Sequence, residues 1–269
     1  MNTKTAAIIL NHNLPDYTDM VYDALKPYER NDYDLFVLDN GSSPEGQSKY
    51  TSFRLDENVY FGGGFNAATQ FVLENEEYDS LLFLNNDLTI HGYNFVRMLR
   101  AEMFGLTFNR NEDPKDYQLN PRFDIMSPTF YNVEPQNEKQ CHWKTMIGYG
   151  RKTAREVPFI DFQCPILSKR VLQEVKEIHP SLLIGWGIDF LFALTCKDKG
   201  YKMAVCDFLN VLHHNSLTLK KGVAGMNVQE YCQKAEAGQY EFFHNVIKRQ
   251  DDYVKLRQEA ENYHFLDVL

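Results

Sequence analysis

Short apolar runs, each stopped by a polar cluster, recur along the first third of this chain. Residues 5–10 (TAAIIL) end at Asn11-His12-Asn13-Leu14-Pro15-Asp16, and residues 35–38 (LFVL) end at Asp39-Asn40-Gly41-Ser42-Ser43-Pro44. Residues 81–84 (LLFL) end at Asn85-Asn86-Asp87. Runs this short, with almost no polar interruption, suit parallel strands buried on both faces. Between them residues 19–25 read as a helix closing near Pro27, and a second helix is predicted over about 67–75, after the turn Gly62-Gly63-Gly64. Further short strands are predicted at 159–162, 203–206 and 211–213, and a helix at 188–199 with Gly200 as its C-cap.

Strand, loop and helix in this order predict an α/β fold, a Rossmann-like, mainly parallel central sheet flanked by helices. In such sheets ligands gather beyond the carboxyl ends of the strands, where the three polar clusters fall. Residues 109–121 are polar and without periodicity, a loop. Beyond about residue 225 the pattern changes: Val228, Ala235 and Phe242 recur at sevenfold spacing, and Val246 and Tyr253 continue the stripe. That is a helical tail with one apolar face, with a break expected at Gly238. The predicted organisation is a domain over 1–222, with halves at about 1–105 and 120–222, followed by a helical extension over 223–269. The stripe is expected to pack on the main domain. A homodimer, or a peripheral contact with the inner face of a membrane, is the alternative use of it.

Composition narrows the function. A chain of 269 residues that is 43% hydrophobic has material for a sizeable core. Its formal net charge of -9 disfavours a nucleic-acid partner, which needs clustered Lys and Arg. Anionic ligands stay compatible with an acidic protein when a divalent cation supplies the local positive charge. The five cysteines (141, 164, 196, 206 and 232) show no C-x-x-C spacing, which argues for a reducing compartment. The first ten residues hold one Lys and a five-residue apolar run, short for a signal peptide. A cytoplasmic protein is expected.

Four constellations carry candidate chemistry. Asp87, just past a buried strand, can hold Mg²⁺ or Mn²⁺ while diphosphate oxygens complete the shell. His213 and His214 follow the last predicted strand, and either imidazole can complete that site; by alternation His213 shares the face of Val211. The glycines at 62–64 let backbone approach a ligand and open a helix whose N–H groups suit phosphates. Gly185-Trp186-Gly187-Ile188-Asp189 puts a carboxylate at a helix start beside an aromatic ring, fit for a general base at the mouth of a sugar pocket.

Taken in order, these segments resemble the inverting GT-A glycosyltransferases of family 2, above all the bacterial rhamnosyl- and galactofuranosyl-type enzymes of surface polysaccharide assembly. Residues 7–13 (AIILNHN) resemble the opening strand with its N-Y-N end, and Val37 to Ser42 match V-D-N-G-S. Asn58 to Asn66 resemble N-x-G-F-x-G-G-x-N, Leu84 to Asp87 resemble L-N-P-D, Gly187-Ile188-Asp189 resembles G-E-D, and residues 211–216 resemble the closing V-x-H segment. The resemblance spans about residues 5–218.

It implies transfer of a sugar from a UDP- or dTDP-sugar to a glycan or lipid-linked glycan acceptor. Asp39 would contact the nucleobase, and Asn11, Asn13, Asn40, Gly62, Gly63, Gly64, Asn66, Asn85 and Asn86 would serve the donor site. Asp87 with His213 or His214 would hold Mn²⁺ or Mg²⁺, Trp186 would wall the acceptor, and Asp189 would be the base. Two positions depart from the pattern: Tyr60 stands where the family has a small glycine, and Ile188 where it has Glu. Gly62, Gly64 and Ala67 also satisfy G-x-G-x-x-A, so a dinucleotide-binding oxidoreductase is the rival class. A sugar- or nucleotide-binding relative without catalysis is the third.

Overall fold

The computed structural model describes residues 3–91, 94–106, 120–132, 143–214 and 226–263. The three apolar runs form β1 (Lys4–Asn11), β2 (Tyr33–Asn40) and β4 (Tyr78–Asn85), each buried along almost its whole length. β1 lies between the other two, parallel to both. Their register aligns the polar ends: Asn11 sits opposite Asp39, and Leu10 opposite Asn85. The repeated "apolar run, then Asn or Asp" of the sequence thus becomes one polar rim.

The rest of the sheet comprises β3 (Phe53–Leu55), β5 (Leu88–Ile90), β6 (Ile125–Asn132), β7 (Ala154–Glu156), β8 (Ile166–Ser168) and β9 (Met203–His213). The order is β3-β2-β1-β4-β8-β6-β9-β5, with β7 also paired to β9. A mainly parallel sheet was expected; the observed one is mixed. β3, β2, β1 and β4 run parallel, and β6 parallels β9. β8 is antiparallel to β4 and β6, and β5 and β7 are antiparallel to β9. Parallel neighbours need a crossover of a dozen or more residues. Only Asn86 and Asp87 separate β4 from β5, but both edges of β4 are taken, by β1 and β8, and β5 pairs with β9 instead.

Other expectations shift for local reasons. The strand predicted at 159–162 does not form; its apolar side chains are buried in irregular backbone, and β8 follows it. The two strands predicted at 203–206 and 211–213 are the single β9, whose register against β6 slips between Pro128 and Thr129. Residues 109–119 of the predicted loop lie outside the described residues.

The helices are α1 (Pro15–Leu25), α2 (Tyr60–Glu74), α3 (Phe95–Phe104), α4 (Lys169–Val175), α5 (Ile188–Lys199), α6 (Val228–Tyr240) and α7 (Gln250–Glu261). α5 has the predicted bounds, and Gly200 caps it at φ +68°. α2 begins earlier than expected, so Gly62-Gly63-Gly64 is not a turn but the first part of a helix. Those glycines make room rather than bend the chain. A Cβ on Gly62 would lie 2.8 Å from the Leu183 backbone, and one on Gly64 2.6 Å from the Leu10 side chain.

The tail is helical, but its break is not at Gly238. α6 runs through that residue, and a π turn at Glu241–Val246 followed by Lys248 at φ +55° makes the bend. The extra residue in the π turn rotates the stripe. Ala235, Phe242 and Tyr253 are buried, whereas Val228 and Val246 are 48% and 41% exposed. Phe243 stacks on Tyr253 (centroids 4.7 Å apart), and Tyr253 meets Phe190 of α5 edge-on at 4.8 Å, so the tail shares the main core. No described helix is long and apolar enough to cross a membrane.

Gly238 supplies a test of this docking. Its Cβ would fall 2.0 Å from the Ser181 carbonyl oxygen, a backbone atom that cannot swing away. Gly to Ala inside a helix normally stabilises by about 1 kcal/mol. Here overpacking, about 1–3 kcal/mol, should win, and Gly238→Ala should lower the urea midpoint. A higher midpoint would mean that α6 does not sit on the 180–182 turn.

Candidate active site

A cavity of about 780 Å³ opens beyond the polar rim, between the ends of β1, β2 and β4 and the docked tail. That is within the range of small-ligand sites. Three groups of side chains line it.

The first lies at the β1 and β2 ends. His12 Nδ1 is 2.9 Å from the Asn40 carbonyl oxygen, which can only accept, so the ring hydrogen is assigned to Nδ1 and Nε2 accepts from Asn58 Nδ2 at 3.1 Å. Asn40 Nδ2 donates to the Asn58 side chain (3.1 Å) and the Tyr60 carbonyl (3.0 Å), and Tyr60 N–H donates to Asn58 Oδ1 at 2.9 Å. Tyr60 is thereby held at φ +60°, a left-handed conformation that costs a non-glycine residue energy and persists only where neighbours over-determine it. Tyr60 is thus a strained residue on the cavity wall.

The second group forms where the two-residue link delivers the chain from β4 to β5. Leu88 pairs with His213, and the His214 N–H donates to the Asp87 carbonyl at 2.9 Å. These ladder contacts bring two buried side chains together across the sequence: His213 Nε2 is 3.4 Å from Asp87 Oδ1. His214 points elsewhere, with Nε2 2.7 Å from Thr89 Oγ1 and its ring edge-on to Tyr17. Among the described residues no cluster of three or more His, Cys, Asp or Glu could hold a metal ion unaided. Asp87 and His213 are a fitting pair for a cation whose remaining ligands come from a substrate. Their separation is near the roughly 3 Å expected of adjacent ligands on an ion with bonds of about 2.1 Å.

The third group is acidic and aromatic. Gly187, at φ +92°, turns the chain into α5 and sets Asp189 in its first turn, half-buried on the cavity wall. Burial and then the nearby Asp161 carboxylate push the Asp189 carboxyl well above the usual carboxylate range, opposed by backbone N–H groups. One of these is the Phe190 N–H, 2.8 Å from Asp189 Oδ1. Trp186, 39% exposed, stands beside it. Asp161 escaped the sequence reading, although a carboxylate inside the apolar run 159–162 is itself a signal, since such groups are seldom buried without a reason. The tail contributions of Gln250 and Arg257 had no signal, and Tyr253 was legible only as part of the apolar stripe; docking places all three on the wall.

Of the residues singled out from the sequence, Asn40, Asn85, Asn86, Asp87, Trp186, Asp189 and His213 line the cavity. Asn11, Asn13, Asp39, Gly62, Gly63, Gly64, Asn66 and His214 do not. Asn11 is fully buried and donates to Asp39 Oδ2 and the Gly46 carbonyl, both at 2.9 Å, while accepting from Thr18. Asp39 is equally buried; its other oxygen accepts from the Ser42 N–H at 3.0 Å. The two organise the rim from behind. Asn13 accepts from the Ser43 N–H, and Asn66 exchanges two hydrogen bonds with the Ile178 backbone on another face.

The start of α2 is closed to phosphates as well. Gly62 N–H donates to the Leu183 carbonyl at 2.7 Å, Gly63 N–H to Val59, and Tyr60 N–H to Asn58. A dinucleotide site needs those N–H groups for its pyrophosphate, so the G-x-G-x-x-A match lacks its chemistry.

Fold and cavity define a mixed α/β protein with a ligand-sized cavity beyond the strand ends. The chain is similar to the crystal structure of GalNAc-T7 with UDP, GalNAc and Mn²⁺, with a TM-score of 0.60 and 12% identity over 94% of this chain and 54% of that one. It thus spans about half the length of that neighbour. The crystal structure of A197 from STIV follows at a TM-score of 0.44 and 17% identity, covering 78% of this chain and 85% of that one. No protein-family model and no curated protein sequence matches the chain.

Proposed function

We propose that the chain is a divalent-cation-dependent glycosyltransferase that moves a sugar from a nucleoside-diphosphate sugar to an acceptor hydroxyl with inversion. The observation that carries this is the placement of two distinct chemistries on one cavity: the Asp87–His213 pair, and Asp189 with its raised pKa. The GT-A fold, shared with a neighbour that holds UDP and Mn²⁺, supports it.

Asp87 and His213 would hold Mn²⁺ or Mg²⁺, which when bound neutralises charge on the departing diphosphate. His12, Asn40, Asn58 and Tyr60 form the wall at the β1 and β2 ends, suited to the nucleoside. Asp189 would take the proton of the acceptor hydroxyl as its oxygen attacks the anomeric carbon. One carbon–oxygen bond forms, the bond to the diphosphate breaks, and the nucleotide leaves. Membership of family 2, a rhamnosyl- or galactofuranosyl-type donor and a cytoplasmic role in surface polysaccharide assembly belong to the same proposal, carried by the order of the motifs.

Calorimetry tests the reading. UDP or dTDP should bind the full chain more tightly with Mn²⁺ than without, and NAD(P) should not bind. The converse pattern would overturn it in favour of the oxidoreductase.

A further inference from the structure

Two carbonyl oxygens at the cavity lack a donor. Gln163 and Gln250 both line it, and the Oε1 atom of each is buried with no hydrogen-bond partner among the described residues. Of the described side chains in that condition, these two alone line the cavity. In Gln163 the amide orientation is settled. Its Nε2 donates to Asp161 Oδ2 at 2.9 Å, and since a carboxylate only accepts, a flip would set two acceptors against each other. Folded proteins leave few buried acceptors unpaired, because each forfeits its hydrogen bond to water without replacing it. Two on one cavity mark where an incoming molecule brings donors.

Their position says which molecule. Gln163 is held by Asp161, the carboxylate that acts on Asp189. Gln250 opens α7 one turn before Tyr253, whose ring packs against Phe190, the residue after Asp189. Both therefore reach the Asp189 group, Gln163 from a position beside the β4 end, where its backbone carbonyl accepts from the Asn85 N–H at 3.0 Å. The Asp189 group also carries the half-exposed indole of Trp186, an apolar plate. Neutral acceptors, a carboxylate and an aromatic face together match a pyranose ring, which offers several hydroxyl donors around its edge and C–H bonds on its face.

We propose that Gln163 and Gln250 determine acceptor specificity by accepting hydrogen bonds from hydroxyls of a sugar seated against Asp189. The acceptor is then a glycoside, not a simple alcohol or a peptide hydroxyl. This rests on the glycosyltransferase reading for its meaning, but the sugar subsite can be tested apart from it.

Methyl glycosides of common hexoses are the probes, titrated into the full chain by saturation-transfer NMR with and without UDP and Mn²⁺. At least one should bind. Gln163→Met and Gln250→Met keep side-chain length but remove the acceptor, and each should weaken that glycoside roughly threefold to tenfold, the worth of one neutral hydrogen bond. UDP affinity should stay within about twofold of the parent. A monodeoxy glycoside lacking the contacted hydroxyl should bind parent and variant alike, the non-additivity that direct contact demands and a merely structural glutamine would not produce. Without ligand Gln250→Met should melt no lower than the parent, since an unpaired acceptor has gone, whereas Gln163→Met also loses the bond its Nε2 donates to Asp161. Unchanged glycoside affinity in both variants, or no glycoside binding to a parent that binds UDP, would overturn the proposal and leave the transferase reading standing. A parent that binds glycosides through these glutamines but ignores UDP would keep the sugar subsite and sink the transferase reading.

Discussion

Asp189→Asn is expected to lower sugar transfer by roughly 10²–10⁴-fold, the contribution of a positioned acid–base group, while donor affinity with Mn²⁺ changes by less than about tenfold. The substitution keeps an oxygen for the Phe190 N–H bond at the start of α5 and removes only the basic oxygen. Steady-state transfer to the true acceptor, paired with calorimetric UDP binding, reads both quantities. The raised pKa adds two signatures. Transfer should climb with pH on a limb displaced above the ordinary carboxylate range, because the base must lose its proton first. The folded state also holds the Asp189 proton more tightly than the unfolded chain does. That contribution to stability is present below the unfolded pKa and is lost as pH rises from there through the raised folded value. Above the unfolded pKa the raised value therefore costs stability, and Asp189→Asn should melt higher than the parent at neutral pH while transferring far less. Near-parental transfer would make Asp189 a structural helix residue. Lost donor binding would assign it to the nucleotide instead.

The second large effect is expected at the cation pair. Outer-shell changes at metal sites already cost about 10–100-fold in affinity, so removing a direct ligand by Asp87→Ala should cost at least that in Mn²⁺-dependent UDP binding. His213→Ala should behave alike. His214→Ala should change binding by less than about threefold, because its ring sits with Thr89 and Tyr17 away from the cavity. Melting curves guard against misfolding, since Asp87 and His213 are both buried. Equal Mn²⁺-dependent affinity in Asp87→Ala and parent would remove Asp87 from the metal site. A larger effect at His214 than at His213 would mean that the imidazole serving the cavity is the other one.

Local chemistry along the chain was enough to place the β1, β2 and β4 runs, the α5 helix with its Gly200 cap, and the polar clusters beyond the strand ends. Each depends on neighbours within a few positions: an unbroken apolar run has few other homes than a buried strand, and Gly200 takes a left-handed φ that other residues resist. Alternation along β9 also separated His213 from His214, because the two faces of a strand differ by one residue. What the chain could not reveal by itself depends on pairing between distant segments. The mixed sheet follows from β8, β7 and β5 pairing antiparallel with distant strands, and the β5–β9 pairing also sets Asp87 3.4 Å from His213. Asn11 and Asp39 looked like ligands in the sequence because they end strands. Tertiary packing spends them on each other, since register places them side by side in full burial. The glycines at 62–64 suggested a phosphate turn, but the approach of Leu183 and Leu10 made them packing surface. Gln163 and Gln250 carried no motif at all, and Asp161 only the oddity of a carboxylate inside an apolar run. Their polarity acquires meaning only because the folded tail and the irregular 157–165 segment bury them around one cavity, where an unpaired acceptor or a second carboxylate has an energetic cost that an extended chain in water never registers.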